Sequence, residues 1–246
     1  MENTVAESKR IIDRARERGV VLRLAGGLAV RQHCKAFEFC ERDHGDIDCV
    51  GLSQQSSAII ETIQELGYQE NTHFRFTTGG TRLVFEKPGS NDHVDVFLDV
   101  LRMEHDIDLR DRLDIEKNTI SVSDILMTKL IIAKMNEKDY RDIITIVKDL
   151  PLGEEDAPET INTRYIGALC ARSWGLYQDA MTTLDACAVF LRQYHLKEEI
   201  AQEVLRRLML IREAIASYPK SVKWRLRSHI GKRLAWRKEV EMQNKE

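Results

Sequence analysis

The sequence predicts an α+β domain over residues 1–150 followed by a helical part over residues 151–246. Three observations predict it. Strand-like and helix-like patterns alternate as far as Leu150. Pro151 and Pro158, two of only four prolines, then bracket the aperiodic acidic stretch PLGEEDAP. Beyond it only helical periodicity is found. Charge divides at the same place: the first part carries 21 basic and 27 acidic residues, the second 16 and 13. An acidic segment joined to a basic one suggests two different jobs.

In chain order, residues 3–18 read as a helix with Val5, Ile11, Ile12 and Ala15 on one side and Gly19 as its stop. Val20–Leu24 reads as a strand that runs through Gly26-Gly27 into a second helix. Asp46–Leu52 is a second strand. Ser56–Leu66 is helical, with Ile59, Ile60, Ile63 and Leu66 on one face and Gly67 ending it. His73–Thr78 and Arg82–Glu86 flank Gly79-Gly80, the signal of a hairpin. Pro88-Gly89 turns the chain into a further strand, His93–Val100. Ser123–Met135 and Asp139–Leu150 are helices. Tyr165–Tyr194 and Lys197–Tyr218 give two or three more, and Pro219 precedes a last one.

With 246 residues, 43% of them hydrophobic and 31% charged, the chain has ordinary globular composition and length enough to bury its own core. No uncharged apolar run approaches the ~18 residues of a spanning helix. The start, MENTVAESKR, lacks the apolar stretch of a secretory signal. A cytoplasmic location with no membrane partner is therefore expected. The five cysteines (Cys34, Cys40, Cys49, Cys170, Cys187) show no CxxC spacing. They read as reduced thiols packed as small hydrophobes rather than as a zinc site.

The chemistry sits in Asp46-Ile47-Asp48. Side chains alternate along a strand, so both carboxylates point one way while Ile47 points into the core. Adjacent acids repel, and a hard divalent cation such as Mg²⁺ or Mn²⁺ relieves the repulsion. In the strand from His93 the same alternation puts Asp95, Phe97 and Asp99 on one face and valines and Leu98 on the other. If the two strands are neighbours, Asp95 joins Asp46 and Asp48 in a cluster able to hold two ions ~3.5–4 Å apart. Alternatively Asp95 pairs with a nearby arginine such as Arg82. Asp99 competes with Asp95 for the third place. Gly26-Gly27, between strand and helix, either lets a phosphate approach bare backbone N–H groups or is a plain tight turn.

Together these residues resemble the nucleotidyltransferase superfamily that includes DNA polymerase beta, aminoglycoside nucleotidyltransferases and toxins of the AbiE type. The shared pattern is a strand, Gly-Gly, a helix, Asp-Ile-Asp on the next strand and one more acid on a later strand. Arg42 matches a basic residue common in the AbiE-like branch, whereas His44 stands where a small hydroxyl residue is usual. Eighteen residues separate Gly27 from Asp46, more than is usual, so an extended helix or a loop fills the gap. Residues 121–150 look like that branch's helix pair, with Lys129 and Arg141-Asp142 at matching positions.

The resemblance implies a nucleotidyltransferase-like mixed sheet flanked by helices, and an enzyme that moves a nucleoside monophosphate from an NTP to an acceptor hydroxyl. Asp46, Asp48 and Asp95 would hold Mg²⁺ or Mn²⁺; Gly26, Gly27, Arg42 and Lys129 would meet the nucleotide. Lys129 lies on an apolar helical stripe, where it either snorkels to water or reaches a buried anion. Small molecules, a protein and a tRNA all stay open as acceptor. A non-catalytic nucleotide-binding or toxin–antitoxin protein with a cognate regulatory partner is the alternative. The basic tail, residues 220–239, carries eight Lys or Arg before its first acid, with Trp224 and Trp236 interleaved. It reads as a helix docking Trp224, Leu226, Ile230 and Leu234 on the core, or as a nucleic-acid contact.

Overall fold

The computed structural model describes residues 2–42, 44–90 and 92–238. The chain divides into two compact units, Met1–Leu101 with Ile107–Ile125, and Arg102–Asp106 with Leu126–Glu246.

The first unit opens with helix α1 (Glu2–Glu17), which buries Ile11, Ile12 and Ala15. Gly19, at φ +68°, ends it, and the Val20 N–H closes back on the Ala15 carbonyl at 2.8 Å. Strand β1 (Leu22–Leu24) leads through Ala25 into α2 (Gly26–His33) and a short α3 (Phe37–Cys40). Then come β2 (Asp46–Gly51), α4 (Ser56–Glu65), β3 (Gln69–Glu70), α5 (Thr72–Thr77), β4 (Arg82–Glu86) and β5 (His93–Leu98). They form one five-stranded sheet in the order β1-β2-β5-β4-β3. Only β2 and β5 run parallel; every other described neighbour pair is antiparallel.

One face of this sheet is apolar: Ile47, Cys49, Leu83, Phe85, Val94, Val96 and Leu98 are all buried. Helix α4 covers it, close enough that a Cβ on Gly51 would come 2.6 Å from Ile59 Cδ1. Arg14 of α1 and Arg18 just past its end tie that helix to Glu65 and Glu61 of α4. The opposite face carries Asp46, Asp48, Asp95 and Arg82.

Three expectations fail in this unit. Thr72–Thr77 form a helix where a hairpin arm over residues 73–78 is expected. The Asn71 side chain caps Phe74 N–H, and Gly79 and Gly80, both at positive φ, terminate α5 through Gly80 N–H on Arg75 O at 2.9 Å. Two adjacent left-handed glycines thus serve as a helix stop, a use the hairpin signal shares. Cys34 and Cys40 are not reduced thiols but form a disulfide, because the turn after α2 folds back and brings their Cα atoms to 6.5 Å. That loop fills the long gap between Gly27 and Asp46. Cys49, Cys170 and Cys187 are free and buried. Finally, β5 stops at Leu98. Asp99 takes φ +64° and its carboxylate accepts from Ser53 N–H at 2.8 Å, so it leaves the alternation that put it beside Asp95.

A two-stranded ribbon of β6 (Val100–Arg102) and β7 (Asp106–Asp108) follows, then α6 (Val122–Leu130) and α7 (Glu137–Asp149). The division between the units falls inside α6, upstream of Pro151. Helix α7 shares the second core instead: Tyr140 stacks on Phe190 at 3.9 Å, and Arg207 donates to the Val147 and Leu150 carbonyls. The acidic stretch is not purely irregular, because β8 (Leu152–Gly153) and β9 (Ile161–Asn162) pair in parallel around it. Helices α8 (Thr163–Arg172), α9 (Trp174–Phe190), α10 (Glu198–Ser217) and α11 (Val222–Ile230) complete the unit. An α+β fold with a mixed sheet flanked by helices and a helical C-terminal part is what the sequence predicts. No described helix is long and apolar enough to cross a membrane.

The basic tail docks differently from expectation. Trp224 turns inward, donating to the Cys170 carbonyl at 3.3 Å and meeting the Tyr177 ring edge-on, whereas Leu226, Ile230 and Leu234 stay exposed. Further on, buried Asp179 accepts from His105 Nε2 at 2.7 Å, Trp236 Nε1 at 3.0 Å and Arg237 Nε at 2.8 Å. Burial alone would raise this carboxyl, but the donors from His105, Arg237 and Trp236 hold it down at about 2. A carboxyl depressed on folding stabilises above its unfolded value of 3.8 and ceases to as pH falls through its folded one. Urea unfolding should therefore lose about 2 kcal/mol between roughly pH 5 and pH 2 through this group, a slope that Asp179→Asn flattens.

Candidate active site

The register of β2 against β5 builds the site. Asp48 stands directly across from Asp95, and Asp46 lies two residues up the same strand, opposite His93. Parallel neighbours are ~4.8 Å apart and side chains of like parity share a face, so the three carboxylates project from one face. Ile47 and Val94, of opposite parity, are buried in the core. Asp46 is exposed; Asp48 and Asp95 are half-buried.

The glycine turn abuts this group. The Asp48 carbonyl accepts from Ala25 N–H at 2.8 Å, which seats the start of α2 beside β2. Gly26 has φ +60°, and a Cβ there would come 2.3 Å from Asp48 Oδ2. A Cβ on Gly27 would meet Arg42 Nη2 at 2.2 Å and His44 Nδ1 at 3.1 Å. The glycines thus let the helix start touch an acid on one side and cationic Arg42 on the other. No side chain caps α2 at Ala25. A cavity of about 460 Å³ adjoins this corner, lined by Lys9, Leu28, Arg31, Glu41, Arg42 and His44.

The two glycines differ in what they tolerate. Gly26→Ala meets a short carboxylate stem in a left-handed conformation, and should cost about 1–3 kcal/mol. Gly27→Ala meets the far end of a long side chain that can swing aside, and should cost clearly less. Chemical denaturation of the two variants in parallel measures the difference.

Asp95 has a partner on β4. Arg82 Nε donates to Asp95 Oδ1 at 2.6 Å and Nη2 to Oδ2, a bidentate pair. Arg82 opposes Phe97 in the ladder and so reaches Asp95 on the diagonal, its guanidinium 4.6 Å from the Phe97 ring and 5.3 Å from that of Phe74. Burial disfavours the guanidinium charge, but hydrogen bonds and charge from Asp95, then charge from Asp48, raise its pKa overall. Cys49, buried behind the acids, has its thiol pushed up by burial and by the charges of Asp48 and Asp95.

As a metal site, the donor set fits in kind, since Asp46 and Asp48 are hard oxygen donors of like parity. Its third member is engaged: both Asp95 oxygens are held by Arg82. Among the described residues, no three His, Cys, Asp or Glu side chains are gathered to hold an ion.

Lys129, within the second unit, is buried on α6 with its amine 3.1 Å from Asp139 Oδ1 and 2.8 Å from Asp142 Oδ2. Burial works against its charge, but attraction to Asp142 and Asp139 raises its pKa. The buried anions it reaches are these two carboxylates. Asp142 is accordingly buried rather than solvated, while Arg141 pairs with Glu137. Sequence spacing does not single out Asp139, because it lies on the helix after the one that carries Lys129.

No family model matches the chain, and no curated protein matches it. Among solved structures the chain is similar to the antibiotic-resistance factor ANT(2″)-Ia, whose solution structure is described as revealing substrate-regulated conformation dynamics. The two are 11% identical, the likeness covers 95% of this chain and 99% of that one, and the TM-score is 0.43.

Proposed function

We propose that the protein is a metal-dependent nucleotidyltransferase, moving a nucleoside monophosphate from an NTP to an acceptor hydroxyl with release of pyrophosphate. The observation that carries the reading is the β2–β5 register, with Asp48 and Asp95 face to face beside the Gly26-Gly27 turn. Asp46 and Asp48 are the residues that would hold Mg²⁺ or Mn²⁺, joined by Asp95 once Arg82 releases it. A bound divalent ion supplies charge neutralisation and Lewis-acid activation at the transferred phosphorus. The acceptor oxygen bonds to the α-phosphorus as the bond to pyrophosphate breaks, and Asp95 takes the hydroxyl proton. Gly26 and Gly27 offer backbone N–H groups to the phosphates, with Arg42 beside them. Lys129 would contribute to a triphosphate only by loosening its hold on Asp139 and Asp142.

The Arg82–Asp95 pair favours a second reading, a non-catalytic nucleotide-binding protein that works through a cognate regulatory partner. Incubation with α-labelled NTPs, Mg²⁺ or Mn²⁺ and separate pools of small molecules, protein and tRNA decides between them. Label entering one pool supports transfer. Binding of NTP without label in any pool supports the second reading.

Arg82 gives a separate check. Removing it should cost about 1–3 kcal/mol without metal, because a bidentate charged pair is lost. Arg82→Met should also show a larger rise in melting temperature with added Mg²⁺ than the wild type, since Asp95 is then available to the ion. Calorimetric scans with and without Mg²⁺ read both effects.

A further inference from the structure

Helix α11 and the turn after it leave an apolar ridge uncovered. Val222, Leu226, Ile230 and Leu234 are 71, 64, 45 and 57% exposed. At 100° per residue the first three lie within about 80° of one another, so they form one continuous edge. Lys223 and Arg225 flank that edge on its two sides, and Lys232 and Arg233 continue the charge beyond the helix end. The side chains of these four cations are exposed and make no hydrogen bond or ion pair among the described residues. Their neighbours are otherwise employed: Arg227 donates to the Gly231 and Leu234 carbonyls, and Arg237 to Asp179. No acidic residue occurs between Pro219 and Lys238.

We propose that this face docks on an anionic lipid surface. Exposed aliphatic side chains framed by uncompensated cations match an apolar interior beneath a negatively charged headgroup layer. A nucleic acid fits less well, because base stacking needs exposed aromatic faces and both tryptophans of the tail are turned inward. Trp224 donates to the Cys170 carbonyl, and Trp236 donates to Asp179 while its ring meets Trp174 edge-on. The expectation of no membrane partner rested on the lack of a spanning segment, which a helix lying in the interface does not need. The proposal is independent of the transfer reading.

Co-sedimentation of the full chain with vesicles tests it. The protein should pellet with vesicles containing phosphatidylserine and not with phosphatidylcholine alone, and added salt should release it. Two sets of exposed substitutions, Leu226→Ser with Ile230→Ser, and Lys223→Ser with Arg225→Ser, Lys232→Ser and Arg233→Ser, should each weaken binding by more than about tenfold. Circular dichroism should show both variants folded. The proposal is overturned if phosphatidylserine vesicles leave the protein in the supernatant, or if the Leu226/Ile230 variant pellets as well as wild type. It is equally overturned if sedimentation velocity shows a dimer that this variant splits, for then a second copy covers the ridge. Binding of single-stranded RNA that the Leu226/Ile230 variant loses would assign the ridge to RNA instead.

Discussion

Exchanging Asp46 and Asp48 together for alanine should lower nucleotidyl transfer by at least about a thousandfold, equivalent to roughly 4 kcal/mol of transition-state stabilisation. The two carboxylates share one strand and one face, so their loss removes the pair proposed to hold the ion. Asp48 faces a like charge, Asp95, across the strand pair, and its own charge also supports that of the Arg82 guanidinium. Asp95→Ala acts on stability as well as on transfer. It strips Arg82 of its bidentate partner, so stability should fall along with activity. Label transfer and thermal unfolding measured on the same preparations read the two effects. Retained transfer in the double variant would remove the assignment of these acids.

Lys129→Met should destabilise the second unit by about 3–5 kcal/mol, because it leaves Asp139 and Asp142 buried without their cation. The loss has a pH signature in the wild type. The Lys129 pKa is raised on folding from 10.5, so its contribution is complete below that value and disappears as pH rises through the folded one. Urea unfolding at neutral pH measures the first effect, and alkaline titration of wild type against variant the second. If Lys129→Met unfolds like wild type while NTP affinity drops, the lysine serves the nucleotide instead of the core.

Local signals in the sequence were enough for most of the fold. The buried stripes of α1 and α4 and the stops at Gly19 and Gly67 follow from side-chain periodicity and from backbone that only glycine adopts easily. The Asp46/Asp48 pairing follows likewise from strand alternation. What failed depended on partners distant in the chain or on equal local signals. Gly79-Gly80 suits both a hairpin and a helix stop, and the Asn71 cap decides between them. The Cys34–Cys40 bond depends on how a loop folds back, which spacing does not encode. The Arg82 contact was conceivable from the residues alone, yet choosing between it and a cation needed the β4–β5 register. Lys129 looked like a ligand for an external anion because its own two carboxylates lie on the following helix.

The parallel pairing of β2 with β5 governs when the three acids come onto one face. Between these strands lie α4, β3, α5 and β4, so the contact that sets Asp48 opposite Asp95 is long-range along the chain. Such contacts carry a large loop-closure cost and slow folding. Neither half of the sheet brings Asp48 and Asp95 together by itself. A peptide spanning β1 to β2 carries Asp46 and Asp48, and one spanning β4 to β5 carries Asp95, so the three acids share a face only once β2 and β5 pair.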